Sequence, residues 1–364
     1  MRFTRGCLTA ALNHGRGTPD VMSSRAALDW LSSFGWVIFI AATVISFGLL
    51  MLLRPLLRRH ALAHPNVRSS HKIPTPQGGG IAVIAATVGV AAASVLLGGY
   101  GPGGHSVWLV LAATAFIALV GAVDDLRSIA VMPRLVLQMV GVAIVLASLP
   151  DDLRVVPFFP FWLERALLGL VILWFVNLTN FMDGIDWMTV AEVVPLSAGL
   201  VLFGFMGALP HDATIIALAL CGAMIGFAPV NRPVARLFLG DVGSLPIGLL
   251  LGWLLVVLAG NGHVAAALLL PLYYVADATI TLLRRLMNGE PVWQAHRSHF
   301  YQRATDGGFS VYQIVSRVFV ANIGLIALAA ATLQTTSFVW HVGALIAGCG
   351  LVALLLYRFA AAKA

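Results

Sequence analysis

Residues 166–186 read "ALLGLVILWFVNLTNFMDGID", an apolar run that turns abruptly polar. The first half is the centre of a membrane-crossing helix, and runs of the same kind recur along the chain. The second half brings Asn177, Asn180, Asp183 and Asp186 at three-residue spacing. A chain that is 60% hydrophobic and only 10% charged has little reason to place four polar side chains there unless they face something other than lipid.

Working outward, the mean hydropathy is +0.93 over the 364 residues, and apolar stretches of about 18 to 22 residues dominate. Soluble domains keep roughly a quarter of their residues charged, and β-barrels show short alternating segments. The expected fold is therefore an all-α polytopic integral membrane protein with about eleven transmembrane helices. The expected spans, with boundaries good to about two to four residues, cover 35–53, 79–99, 106–123, 133–149, 163–179, 189–209, 212–229, 242–260, 263–283, 311–333 and 338–357. No fixed-period repeat or linker interrupts them, so residues 35–358 form one transmembrane domain, followed by a tail at 359–364. Residues 1–34 have no long apolar core of the signal-peptide kind and carry no functional argument, and Met22 offers an alternative start. Cys7, Cys221 and Cys349 have neither metal-site spacing nor a disulfide pattern.

The formal charge of +7 is a property of the loops and not a sign of nucleic-acid binding. Arg54, Arg58, Arg59, Arg68 and Lys72 follow span one, and Arg284, Arg285, Arg297 and Arg303 follow span nine. Arg127, Arg134, Arg232 and Arg236 follow spans three and seven, whereas "GGYGPGGHS", "GALPHD", "AGNG" and "QTTS" contain no Lys or Arg. By the positive-inside rule the odd-numbered exits are cytoplasmic.

Those exits also hold the unusual motifs: "HKIPTPQGGG", "DDLRS", "NLTNFMDGID", "NRPVARLFLGDVGS" and "AHRSHFYQR". The scarce carboxylates Asp124, Asp125, Asp183, Asp186 and Asp241 thus gather at one face. Each has a plain reading beside a chemical one. Asp124 and Asp125 are either solvated loop charges or a pair that serves a hard cation or an arriving phosphate. Asp241, flanked by Gly240 and Gly243, is either a helix N-cap or a Mg²⁺ ligand. Phe238 is core or a stacking surface for a base. His296, Arg297, His299 and Arg303 suit phosphate oxygens, and zinc is the weaker reading for want of a third close ligand. Along a helix each three-residue step turns about 300°, which puts Asn177, Asn180 and Asp183 on one broad face directed into a polar cavity.

Taken in order, "DDLRS", "NLTNFMDGID", "NRPVARLFLGDVGS" and "HRSHFYQR" resemble the polyprenyl-phosphate N-acetylhexosamine-1-phosphate transferase family (glycosyltransferase family 4) over roughly residues 35 to 335. The resemblance implies a multi-pass enzyme of the bacterial inner membrane with its active site on the cytoplasmic face. It would transfer a sugar-1-phosphate from a UDP-N-acetyl sugar to undecaprenyl phosphate, releasing UMP, as the first membrane step of an envelope glycan such as O-antigen. The implied cofactor is Mg²⁺, with Mn²⁺ as a substitute, and the partners are the two substrates and the bilayer, with a homo-oligomer left open. By the same resemblance Asp241 is the principal metal ligand with Asp125. Asp124, Asp125, Asp183, His296 and His299 serve the chemistry, and Asn177, Asn180, Asp186, Asn231, Phe238, Arg297, Arg303 and Lys72 serve substrate binding. Trp187 departs from the pattern, since many relatives have Gly there, and His296-Arg-Ser-His299 replaces a run of consecutive His. Both point to an N-acetylhexosamine branch. A secondary transporter of an anionic substrate is the competing class, but such proteins place polar residues near the midplane in repeated halves.

Overall fold

The structure is a computed structural model that describes residues 24–63, 74–97, 105–291 and 296–361. Among the expected site residues Lys72 lies outside them. Helices α1 (Ser24–His60), α2 (Gly80–Leu97), α3 (His105–Leu126), α4 (Val131–Ser148), α5 (Phe161–Met182), α6 (Met188–Phe205), α7 (His211–Asn231) and α8 (Asp241–Gly260) follow in chain order. Then come α9 (Val264–Leu269), α10 (Leu272–Met287), the short α11 (Phe300–Asp306), α12 (Val311–Leu333) and α13 (Phe338–Ala360). A two-residue antiparallel pair, β1 (Leu62–Ala63) with β2 (Thr75–Pro76), ties the end of α1 to the start of α2.

Among the described residues ten helices are long and apolar enough to cross a membrane. The chain is an all-α, multi-pass membrane protein, as the hydropathy requires. The expected ninth span, 263–283, is not one helix but two, α9 and α10, parted at Leu270 and Pro271. Pro271 has no N–H to donate and crowds the preceding turn, so the helix breaks and restarts there. The freed backbone needs partners in an apolar setting, and buried Glu192 of α6 accepts a hydrogen bond from the Tyr274 backbone. Asn322 of α12 donates to the same carboxyl at 2.7 Å. Together α9 and α10 still return the chain to the starting face, because α11 beyond them meets the α5–α6 turn.

Helix α8 is the axis: 94% of its apolar window is buried, against α3, α5 and α2. Its first turn is approached so closely that a Cβ on Gly121 of α3 would stand 2.3 Å from the Asp241 carbonyl oxygen. A Cβ on Gly80 of α2 would stand 2.3 Å from the Gly243 Cα. Small residues there let three helix ends converge on one point.

Candidate active site at the start of helix 8

Because Gly240 precedes α8 with φ +77 and no side chain, the helix lacks a cap of its own. Asp125, at the end of α3, supplies it from outside. Its Oδ1 accepts from the Asp241 N–H at 2.9 Å and its Oδ2 from the Val242 N–H at 3.1 Å. A Cβ on Gly240 would sit 2.5 Å from that Oδ2, so glycine is required twice over, for space and for φ. Asp241 is thereby released from the capping role that its position suggests. Its Oδ1 accepts from Asn180 Nδ2 at 2.7 Å, and the same amide donates to Ser244 Oγ at 2.9 Å. Asp124 accepts from the Ile129 N–H at 2.6 Å and from Arg134 Nη1 at 2.9 Å, and its carboxyl interacts directly with that of Asp241. The same Arg134 nitrogen is 3.8 Å from Asp241 Oδ2.

The stretch from 177 to 187 divides its polar residues between neighbours. Asn180 faces Asp241, while Asn177, one turn earlier, donates to Gln138 of α4 at 2.8 Å. Asp183 ends α5, half-buried, and accepts from the Thr189 hydroxyl. Burial, with the nearby Asp125 and Asp186 charges, pushes its carboxyl up to about 7 from an ordinary 3.8, against the opposing effect of Thr189. Asp186 is buried and accepts from the Ala235 N–H at 2.9 Å. Asn231 accepts from the Trp187 N–H at 2.8 Å and donates to the Leu237 carbonyl at 3.1 Å. Asp186 and Asn231 therefore clamp the 183–187 and 231–240 loops together. Trp187 has φ +62, a conformation that a bulky residue rarely adopts, and its indole N–H donates to the Ala228 carbonyl at 2.6 Å. Glycine would take this left-handed backbone without that cost. Phe238, half-buried, pairs through its backbone with Pro76 and Gly79 at 2.9 Å each.

The last loop repeats the capping device. Asp277 of α10, fully buried, accepts from His299 Nδ1 at 3.2 Å and from the Phe300 and Tyr301 N–H groups at 3.0 and 3.2 Å. Tyr273 and Thr281 donate to it at 3.3 and 3.4 Å. The Asp277 contact engages Nδ1 of the buried His299 ring and leaves Nε2 as its other polar atom. His296 stacks on His299 at 5.0 Å, and Tyr301 flanks its ring at 5.7 Å. Tyr301 donates to the Phe181 carbonyl at 3.1 Å, which seats the loop beside Asp183. Arg297 pairs with exposed Asp306 at 2.9 Å, and Arg303 lies half-buried on α11.

Asp124, Asp125, Asp183 and Asp241 thus meet at one end of the bundle, with the His296–His299 loop alongside. Asp277, Arg134, Thr189 and Tyr301 are the members that the motifs did not assign. Only Asp277 carried a signal, as a lone carboxylate within an apolar run. Among the described residues no three His, Cys, Asp or Glu side chains form a ready-made metal cage. Mg²⁺ takes one or two carboxylates and completes its shell with water and phosphate. The carboxylate oxygens of Asp241 and of neighbouring Asp124 are donors of that kind.

Residues 107–259, which run from the first turn of α3 to the last turn of α8, match the family described as "Glycosyl transferase family 4". The chain is 27% identical over 326 residues to a probable undecaprenyl-phosphate N-acetylglucosaminyl 1-phosphate transferase of Bacillus subtilis, covering 82% of this chain and 87% of that one. It is 28% identical over 360 residues to decaprenyl-phosphate N-acetylglucosaminephosphotransferase of Mycolicibacterium smegmatis, covering 87% and 84%. It is 27% identical over 267 residues to phospho-N-acetylmuramoyl-pentapeptide-transferase of Desulfotalea psychrophila, covering 63% and 72%.

Proposed function

We propose that this protein transfers N-acetylhexosamine-1-phosphate from a UDP-sugar to undecaprenyl phosphate at the cytoplasmic face of the inner membrane. The observation that carries the reading is the convergence of Asp124, Asp125, Asp183 and Asp241 around the start of α8, in a chain whose relatives bear transferase names. A lipid phosphate arrives from the bilayer and a nucleotide sugar from water, so their meeting place belongs at a helix end on the membrane surface.

In the reaction an oxygen of the lipid phosphate attacks the phosphorus that bears the sugar. The bond from that phosphorus to the bridging oxygen breaks, and UMP leaves with the oxygen. Asp241 is the carboxylate that would hold Mg²⁺, with Asp124 beside it. Bound there, the ion supplies charge stabilisation to the transferring phosphoryl group. Asp125 fixes the first turn of α8 and so the direction of Asp241. Asn180 orients Asp241 from α5. His299, held through Nδ1 by Asp277, would donate from Nε2 to a phosphate oxygen as the imidazolium, with His296 stacked on it. Asp183, half-protonated near neutrality, can donate to a substrate oxygen as well as accept from one.

Purified protein given undecaprenyl phosphate and a panel of UDP-N-acetyl sugars with Mg²⁺ tests this directly. One sugar should yield a lipid-linked diphosphate sugar and UMP in equal amounts. Label carried into proteoliposomes without chemical change would overturn the transferase reading in favour of transport.

A further inference from the structure

Arg134 stands where the reaction as described gives it no task. Among the described residues it is the basic side chain paired to Asp124, at 2.9 Å, and to Asp241, at 3.8 Å. Its Nε is buried without a hydrogen-bond partner. One turn further along α4, fully buried Gln138 accepts from Asn177 and leaves its own Nε2 equally unpartnered. Buried donors are almost always satisfied. Two orphan donors on successive turns, one of them on a guanidinium, fit a further acceptor such as a phosphate oxygen.

We propose that Arg134 is a place-holder cation that bridges Asp124 and Asp241 until a divalent ion takes those oxygens, and then turns to substrate phosphate. The inference rests on the metal reading of Asp241 given above. Asp124, Asp125 and Asp241 crowd one point, and without a counter-charge their repulsion would pry the α3 and α8 ends apart. A guanidinium within 4 Å of both carboxylates offsets that repulsion, but it also repels a dication approaching the same oxygens. The two cations therefore compete. The long flexible side chain of arginine, and the planar fork that matches phosphate as well as it matches carboxylate, let it exchange one anion for the other.

The competition has a readout independent of turnover. Mn²⁺ binding to the detergent-solubilised protein is titrated by the electron paramagnetic resonance signal of the free ion, for wild type, Arg134→Lys and Arg134→Gln. The Gln variant should bind Mn²⁺ about tenfold more tightly, the scale expected on removing a unit charge about 6 Å from a dication in a water-filled site. The Lys variant should stay near wild type. Binding of UDP in the presence of Mn²⁺ should weaken in the Gln variant, since the phosphate loses its arginine. Thermal melting with and without Mn²⁺ identifies a misfolded variant, and the Lys variant then decides the matter through its UDP affinity. Equal or weaker Mn²⁺ binding by folded Arg134→Gln would overturn the place-holder role alone. No Mn²⁺ binding by wild type would overturn it together with the metal reading.

Discussion

Asp125 and Asp241 look alike in sequence, each a carboxylate at a helix end, yet the structure assigns them opposite costs on removal. Asp125→Ala strips the acceptors from the Asp241 and Val242 N–H groups, held at 2.9 and 3.1 Å across 116 and 117 residues of sequence. Each orphaned buried donor costs about 1–3 kcal/mol, so the loss of two comes to about 2–6 kcal/mol. Asp125→Asn keeps one acceptor and turns an NH₂ toward the other donor, and it forfeits the charge at the positive end of α8, for about 1–2 kcal/mol. Asp241→Asn breaks no backbone bond, keeps an oxygen for Asn180, and relieves crowding with Asp124. Melting of the three variants in detergent, followed by tryptophan fluorescence, should rank them Asp125→Ala below Asp125→Asn below wild type, with Asp241→Asn at wild type or above. Turnover should nevertheless vanish in Asp241→Asn, because losing a metal ligand withdraws several kcal/mol of charge stabilisation from the phosphoryl group. If Asp125→Ala melts with wild type, the cap across helices is not what holds α8. If Asp241→Asn turns over normally in Mg²⁺, the metal assignment fails.

Three further expectations follow from the same geometry. The folded carboxyl of Asp183 sits at about 7 against 3.8, so folding binds its proton between those values. The penalty for ionising it is absent below about pH 4, grows through the window and is full above about 7, where it reaches about 4 kcal/mol. Asp183→Asn should thus gain melting temperature over metal-free wild type as pH rises from 5 to 8, and a constant difference would refute the upward shift. Alanine at His299 or His296 should reduce turnover of UDP-sugar by about 10²-fold, with no response to zinc-selective chelation. Zinc-restored activity would show the histidines to be metal ligands instead. Direct attack by the lipid phosphate requires that no UMP appear before acceptor is added, whereas a stoichiometric burst would make a carboxylate the nucleophile.

Hydropathy carried the helices because a lipid-facing backbone permits little else. It misread residues 263–283 because "LLLPLYY" is apolar throughout, and a break supported by buried Glu192 leaves no trace in a hydropathy window. The motifs led to the expectation that the scarce carboxylates gather at one face, and the structure brings Asp124, Asp125, Asp183 and Asp241 together there. They did not reveal which carboxylate does what. Asp125 and Asp277 spend their oxygens on helix starts belonging to other segments, a pairing fixed only by tertiary packing. Asp186 and Asn231, expected against the nucleotide sugar, are engaged in joining two loops. Arg134 was legible only as loop charge, because its partners come from α3 and α8.

The two borrowed caps also divide the site into moving parts. Asp125 welds the end of α3 to the start of α8, and Asp277 welds α10 to α11, each by accepting from two backbone N–H groups. Between these bodies the last loop is held at the α5–α6 turn by a neutral bond, Tyr301 to the Phe181 carbonyl. Displacement of the last loop should therefore part that bond first, while α10 stays tied to α5 and α6 through Thr279 and Tyr274 and the carboxylates beside α8 keep their spacing. Amide hydrogen exchange would show this as early labelling around residues 181–187 against slow labelling in the first turns of α8 and α11.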